Sequence, residues 1–306
     1  MQPKTFYSFI LTSEQQRHLT DLLADSRFNP VTVPYTSAAV DTGTCRICLY
    51  TSGKCTVQGK GAPDFVEFEL EPKVILPTGG TGIINRPPEA PHIGSDESGK
   101  GDYFGPLIVC AAYVNAEIAE KMYDLGIRDC KTLSDRQVEL FGTEIMRFLG
   151  NRYSVVQINP TKYNELYERV SNVNKILAWA HARAIENLLA VVPDCPMALA
   201  DQFGGEHLIR QALFEKGRRI KLEQRHKAES DIAVAAASVI ARCLFLRELT
   251  VLGKTAGLQG PLPKGASAAV IEAARGIFEK KGPDFLRDLC KWHFKTTESL
   301  YEFPLQ

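Results

Sequence analysis

The sequence has no excess of charge. Its 306 residues carry 36 Lys and Arg against 36 Asp and Glu, so the formal net charge is zero. A whole-surface field that would draw in a polyanion is absent, and binding of nucleic acid must rest on how charge is distributed rather than on its sum. Long apolar runs are missing too. No stretch reaches the roughly 18–20 apolar residues of a membrane span, and the opening Met1-Gln2-Pro3-Lys4-Thr5-Phe6 starts no long apolar segment. The longest apolar run, Ile232 to Ala241, is Ala-rich and broken by Ser238. No repeat stands out at solenoid periods. A cytoplasmic protein without membrane partners is expected. Cysteine is present, but Cys45, Cys48, Cys55, Cys110, Cys130, Cys195, Cys243 and Cys290 are scattered along a long chain. That favours reduced thiols over a disulfide scaffold.

What is there suffices for more than one ordinary domain: 44% of the residues are hydrophobic. The segment Leu76 to Pro91 holds four prolines and three glycines, the composition of a linker. It sets a small unit, residues 1–76, apart from a larger one, residues 92–306, with the linker at 77–91. In the small unit Phe6 to Leu11 reads as a strand. Ser13-Glu14-Gln15-Gln16 reads as a capping box with Ser13 at the N-cap, followed by an apolar helix face of Leu19, Leu22 and Leu23. Cys45 to Tyr50 and Cys55 to Gln58 flank a Thr51-Ser52-Gly53-Lys54 turn as a hairpin. Phe65 to Leu70 begins an amphipathic segment that fits helix or strand.

The larger unit alternates. Strands are expected at His92 to Asp96, Leu107 to Val114, Tyr153 to Ile158 and Met197 to Asp201. Helices are expected near Asp135 to Leu149, Asn174 to Leu189, Glu206 to Phe214 and Asp231 to Leu249. This is an α/β pattern, with the first two strands paired antiparallel.

Chemistry concentrates in Gly94-Ser95-Asp96-Glu97-Ser98-Gly99-Lys100-Gly101-Asp102-Tyr103-Phe104-Gly105-Pro106. Asp96 and Glu97 stand where a strand runs into glycine-rich backbone. Asp201 ends an apolar strand, and Asp231 opens an apolar helix. Functional residues of such sheets gather at strand ends. Several carboxylates held together suit Mg²⁺ or Mn²⁺, and two ions roughly 3.5–4 Å apart can clamp a phosphodiester displacement.

Asp96-Glu97-Ser98-Gly99-Lys100-Gly101-Asp102-Tyr103-Phe104-Gly105-Pro106-Leu107 resembles the signature of the ribonucleases HIII. The related ribonucleases HII typically carry Gly-Arg-Gly where this chain has Gly99-Lys100-Gly101. Further matches follow in order: Asp129 to Asp135, with Cys130 in place of a serine; Tyr163-Asn164; Asn172 to Trp179; Asp201-Gln202-Phe203; Glu229-Ser230-Asp231; and Trp292-His293-Phe294-Lys295. Val57-Gln58-Gly59-Lys60-Gly61 extends the likeness into the small unit. The resemblance implies a ribonuclease H-like catalytic domain with a mixed sheet, preceded by a small α+β domain like the TATA-binding protein that grips the substrate. It implies that Asp96, Glu97, Asp201 and Asp231 are the metal ligands and catalytic residues. Gly99, Lys100 and Gly101, with Gln58 and Lys60, would bind substrate, the glycines by backbone contact to 2′-hydroxyls. The implied activity is hydrolysis of the RNA strand of an RNA–DNA hybrid with two Mg²⁺ or Mn²⁺, leaving 5′-phosphate and 3′-hydroxyl ends. No nucleotide cofactor is implied, and a monomer is expected.

Other readings compete. Gly94 to Lys100 also fits the start of a phosphate-binding loop, Gly-x-x-x-x-Gly-Lys, but Gly101 stands where Ser or Thr is required. Cys45, Cys48 and Cys55 offer three thiols for zinc and no fourth nearby ligand. Asp231 suits a helix cap as well as a ligand, and Asp201 a turn. The basic cluster Lys216, Arg218, Arg219, Lys221, Arg225 and Lys227 is either a solvated face or a phosphate track. Incision at a single ribonucleotide embedded in DNA, as in ribonuclease HII, is the nearest alternative activity; a hybrid-binding protein without catalysis is the alternative of another class.

Overall fold

The computed structural model describes residues 5–75, 90–125, 133–225 and 228–301. The chain divides into two compact units, Met1–Pro87 and Pro88–Gln306. Apart from its last two residues, the linker expected at 77–91 lies outside the described residues, as do Asp129–Thr132 and Lys227.

In the first unit, β1 (Phe6–Ile10) leads to α1 (Ser13–Leu23), then β2 (Asn29–Pro30), β3 (Thr36–Asp41), β4 (Cys45–Tyr50), β5 (Lys54–Gly59) and the short α2 (Ala62–Phe65). The chain continues helically, with wider π-type turns, through Val66–Ile75. The segment that fitted helix or strand is therefore helical. The sheet is antiparallel, in the order β1-β5-β4-β3-β2. Alternation along β4 and β5 sends Ile47, Leu49, Cys55 and Val57 into a core with Leu19, Leu23, Leu70 and Val74. Cys45 joins that core, and burial pushes the Cys55 thiol up to about 12, so these cysteines behave as small apolar side chains. The α1 capping box is one residue earlier than expected. Thr12 is the N-cap, its hydroxyl accepts from Gln15 N–H, and the Gln15 amide returns to Thr12 N–H.

The second unit runs β6 (His92–Ser98), β7 (Leu107–Val114), α3 (Ala116–Asp124), α4 (Asp135–Leu149), β8 (Tyr153–Ile158), α5 (Pro160–Val170), α6 (Val173–Leu189), β9 (Met197–Asp201), α7 (Glu206–Ala212), β10 (Lys221–Arg225), α8 (Ile232–Ala256), α9 (Ala268–Lys281), α10 (Pro283–Arg287) and α11 (Lys295–Tyr301). Its sheet has the order β10-β9-β6-β7-β8 and is mixed: β10, β9 and β6 are parallel, while β7 pairs antiparallel with β6 and β8. β7 reads as an unbroken apolar run because both its faces are buried. Ile108, Cys110 and Ala112 pack on the α8 side with Ala236, Val239 and Ile240. Leu107, Val109 and Ala111 pack on the α6 side with Leu177, Ala180 and Ala184.

The alanines of α8 let this helix lie close to the sheet. At Gly94 the approach is backbone to backbone, since a Cβ there would stand 2.1 Å from the carbonyl carbon of Ala233 and the nitrogen of Val234. This disposes of the phosphate-loop reading. Gly94 to Ser98 is strand, and Gly94 is glycine because a helix crosses it rather than because a phosphate sits there.

Candidate active site

β6 deals its residues alternately to two faces. Gly94 faces α8, so Asp96 shares that side. Ser95 and Glu97 face α6, where Ser95 and Glu97 both meet His181. The parallel register Gly94↔Leu199 and Ser95↔Ala200 places the end of β9 beside the end of β6, so Asp201 stands next to Asp96. Asp231 is the N-cap of α8, the helix that crosses Gly94.

Each carboxylate has an oxygen held by fixed donors. Asp96 Oδ1 accepts from the Glu97 N–H at 2.8 Å. Asp201 Oδ1 accepts from the Ala228 N–H at 2.9 Å. Asp231 Oδ1 accepts from the N–H groups of Ala233 and Val234 at 2.9 and 3.1 Å. Glu97 Oε2 lies 3.2 Å from His181 Nε2, while its Oε1 lies 3.5 Å from Lys100 Nζ. His181 is fully buried and also meets Ser95 Oγ through Nδ1 at 2.9 Å, so Nε2–H donates to Glu97 and Nδ1 accepts from the serine. His92, also buried, sets Nδ1 2.7 Å from the Ala90 carbonyl and Nε2 3.0 Å from both Asp231 oxygens. Both of these partners are acceptors, so the ring donates from both nitrogens, as an imidazolium does.

The electrostatics differ between sites. Burial, then the charge of Glu97 and, more weakly, that of Asp201 raise the Asp96 carboxyl to about 7, against the opposing bonds from Ser238 and the Glu97 N–H. Burial also pushes Glu97 and Asp231 upward, but their partners outweigh it. His181 and Lys100 hold Glu97 below the usual carboxylate range, and His92 with the α8 amides does the same for Asp231. Asp96 thus feels the charges of Glu97 and Asp201, while Asp231 is engaged by His92 and linked to Asp201 through Ala228, whose N–H binds Asp201 and whose carbonyl accepts from Asp231 N–H. Among the described residues no three acidic, His or Cys side chains are drawn together tightly enough to form a ready-made metal cage.

The glycines of the motif have different reasons. Gly99 has φ +91°, and its Cβ would strike the Pro106 carbonyl oxygen at 2.1 Å, so its identity is fixed from inside. Gly101 is exposed, and a Cβ there would meet nothing within 4 Å. Gln58 and Lys60 are exposed at and just beyond the end of β5, in the other unit. Sequence reading missed His92 and His181. They lie 139 residues from Asp231 and 84 from Glu97, and no local spacing signals either pairing. The basic cluster is partly β10, where Lys221 and Arg225 pair with Glu223, and Arg219 pairs with Glu215.

Comparison with known proteins bears on this geometry. The family model described as "Ribonuclease HII" matches residues 93–297. A ribonuclease HIII of Protochlamydia amoebophila is 42% identical over 271 residues, 88% of each chain. One of Chlamydia pneumoniae is 40% identical over 295 residues, 95% of this chain and 96% of the relative. Among solved structures, Bst-RNase HIII in complex with Mn²⁺ is similar with a TM-score of 0.65 at 29% identity, covering 97% of this chain and 98% of that one. The chain belongs to the ribonuclease HII/HIII family, among the ribonucleases HIII.

Proposed function

We propose that this protein is a metal-dependent endoribonuclease that hydrolyses the RNA strand of RNA–DNA hybrids, with Asp96, Glu97, Asp201 and Asp231 as ligands for two Mg²⁺ or Mn²⁺ ions. The observation that carries the reading is the shared arrangement of the four carboxylates: each has an oxygen tied to a protein donor. Such ties orient acidic side chains as metal ligands in the way that supporting hydrogen bonds do elsewhere. An all-oxygen donor set suits hard divalent cations. Burial, then the charges of Glu97 and Asp201, raise the Asp96 carboxyl, and a cation beside it would favour its charged form. Mn²⁺ is bound by the similar Bst-RNase HIII.

When bound, the ions supply Lewis acidity for water activation and for the leaving 3′ oxygen. The chain's own residues do the rest. Asp96 and Asp201 hold the centre from adjacent strand ends, and Glu97 reaches it from the opposite face of β6, steadied by His181. Asp231 contributes from the start of α8. Gly99 and Gly101 present backbone to the RNA strand, where the 2′-hydroxyl separates RNA from DNA. Lys100 Nζ, beside Glu97 Oε1, supplies positive charge next to the site. The products carry 5′-phosphate and 3′-hydroxyl ends. Gln58 and Lys60 act as a second contact surface on the substrate.

The test is Asp201→Asn. Loss of cleavage by at least a hundredfold is expected, with hybrid binding retained, read by gel cleavage and by fluorescence anisotropy. Wild-type cleavage by this variant removes Asp201 from the centre.

A further inference from the structure

Two stretches singled out in the sequence, Asp102 to Pro106 and Trp292 to Lys295, take no part in the chemistry above. The structure joins the first to the segment that leads into the second. Lys291 N–H donates to the Tyr103 carbonyl at 2.8 Å, Gly105 N–H to the Leu289 carbonyl at 2.9 Å, and Phe104 pairs antiparallel with Cys290. Within this short ladder the Lys291 side chain is fully buried. Its ammonium donates to the carbonyls of Asp102 at 2.9 Å and Gly105 at 2.7 Å, bracketing the turn from both ends. Asn164 of α5 grips the same segment from the other side: its amide donates to the Cys290 carbonyl at 2.9 Å and accepts from Trp292 N–H at 2.9 Å.

A fully buried lysine is costly, because burial disfavours its charge, and no carboxylate stands within ion-pair distance of its Nζ among the described residues. An apolar residue of similar length would fill the space. What it would not do is satisfy two inward-facing carbonyls of the turn. That turn is the base of the Gly99-Lys100-Gly101 loop, since Asp102 N–H reaches back to the Gly99 carbonyl at 3.4 Å and the Asp102 carboxylate is itself tied to Gly265 N–H at 2.6 Å. One half of the loop is thus bolted down, while Gly101 is exposed and Lys100 turns its ammonium toward Glu97.

We propose that Lys291 is a positioning residue for substrate recognition, fixing the turn from which Gly99, Lys100 and Gly101 read the RNA strand. The proposal rests on the functional reading above. Lys291 lies outside the carboxylate centre, so its loss should alter recognition and leave metal affinity alone.

The test compares wild-type protein with Lys291→Met, which keeps length and removes the ammonium. Four quantities are measured: KM and kcat on a hybrid, Mn²⁺ affinity by electron paramagnetic resonance, and deuterium exchange at the amides of residues 99–105. The expected result is a KM raised about tenfold or more, because small displacements of binding groups carry large penalties. Mn²⁺ affinity should stay within about twofold, and exchange at the loop amides should quicken. Lys291→Gln, which keeps a donor, should recover part of the KM; if the Met variant does not fold, the Gln variant is held to the same criteria at reduced size. An unchanged KM, unchanged loop exchange, or a fall in Mn²⁺ affinity matching the loss of activity overturns the proposal. Wild-type protein that leaves the hybrid uncut contradicts the functional reading instead, and loop exchange then decides the structural role of Lys291 by itself.

Discussion

Asp96 is the residue whose environment is most at odds with its charge. Its folded carboxyl titrates near 7, above the roughly 3.9 of an unfolded chain. The folded protein therefore binds the extra proton between these values, and stability from this group falls as pH rises through that window. Two results follow. Asp96→Asn should raise the melting temperature of the metal-free protein by several degrees at pH 8 and by little at pH 4, while abolishing cleavage. Metal must also displace the Asp96 proton, so Mn²⁺ affinity should climb about tenfold per pH unit towards 7 and level off above it. Calorimetric titration across pH 5 to 8 checks this, and a flat profile would contradict it. At Asp231, cap and ligand separate by substitution. Asparagine caps about as well as aspartate, whereas alanine costs about 0.5–2 kcal/mol. Asp231→Asn should therefore lose cleavage with a smaller loss of stability than Asp231→Ala, as thermal melts would show.

At the scale of elements, Gly94 is required by the helix that crosses it, whereas nothing inside the protein requires Gly101. Gly94→Ala forces a methyl into the α8 backbone and should destabilise by at least about 1–3 kcal/mol, the ordinary cost of overpacking. Gly101→Ala meets nothing inside the protein, so its melting temperature should stay within about 1 °C while KM for a hybrid rises several-fold. If Gly101→Ala binds and cuts like wild type, the backbone of Gly101 is not read by substrate.

The same scale shows what was legible. β6 to β9 could be read as short strand-like stretches, α4 and α6 from apolar residues at helical spacing, and α8 as a long Ala-rich run that is apolar nearly all round. β10 was not. Lys-Leu-Glu-Gln-Arg on an edge strand buries only Leu222, and its Lys221 and Arg225 read as part of a basic surface cluster. β3, with Ser37, Ala38 and Ala39, is too small in side chain to announce a strand. α3 and α5 were missed although each is amphipathic, α3 burying Ile118, Ala119 and Met122 along one side. The four acidic positions were proposed from the resemblance, and the histidines that meet Glu97 and Asp231 were not, because only folding brings them near.

At the scale of the whole molecule, zero net charge is compatible with the proposed substrate, because recognition is proposed to rest on a loop and a charged centre rather than on a global field. Charge is also spent locally: the basic run before α8 is partly neutralised by Glu215 and Glu223. Among the described residues no helix is long and apolar enough to cross a membrane.

The most direct measurement incubates the full chain with Mg²⁺ or Mn²⁺ and three labelled duplexes: a continuous RNA–DNA hybrid, DNA with one embedded ribonucleotide, and plain DNA. The expected result is strong cutting of the hybrid, leaving 5′-phosphate ends, little cutting at the single ribonucleotide, none of DNA, and complete loss with EDTA. Preferred incision at the single ribonucleotide, or binding of the hybrid with no cutting in either metal, would contradict the proposed function.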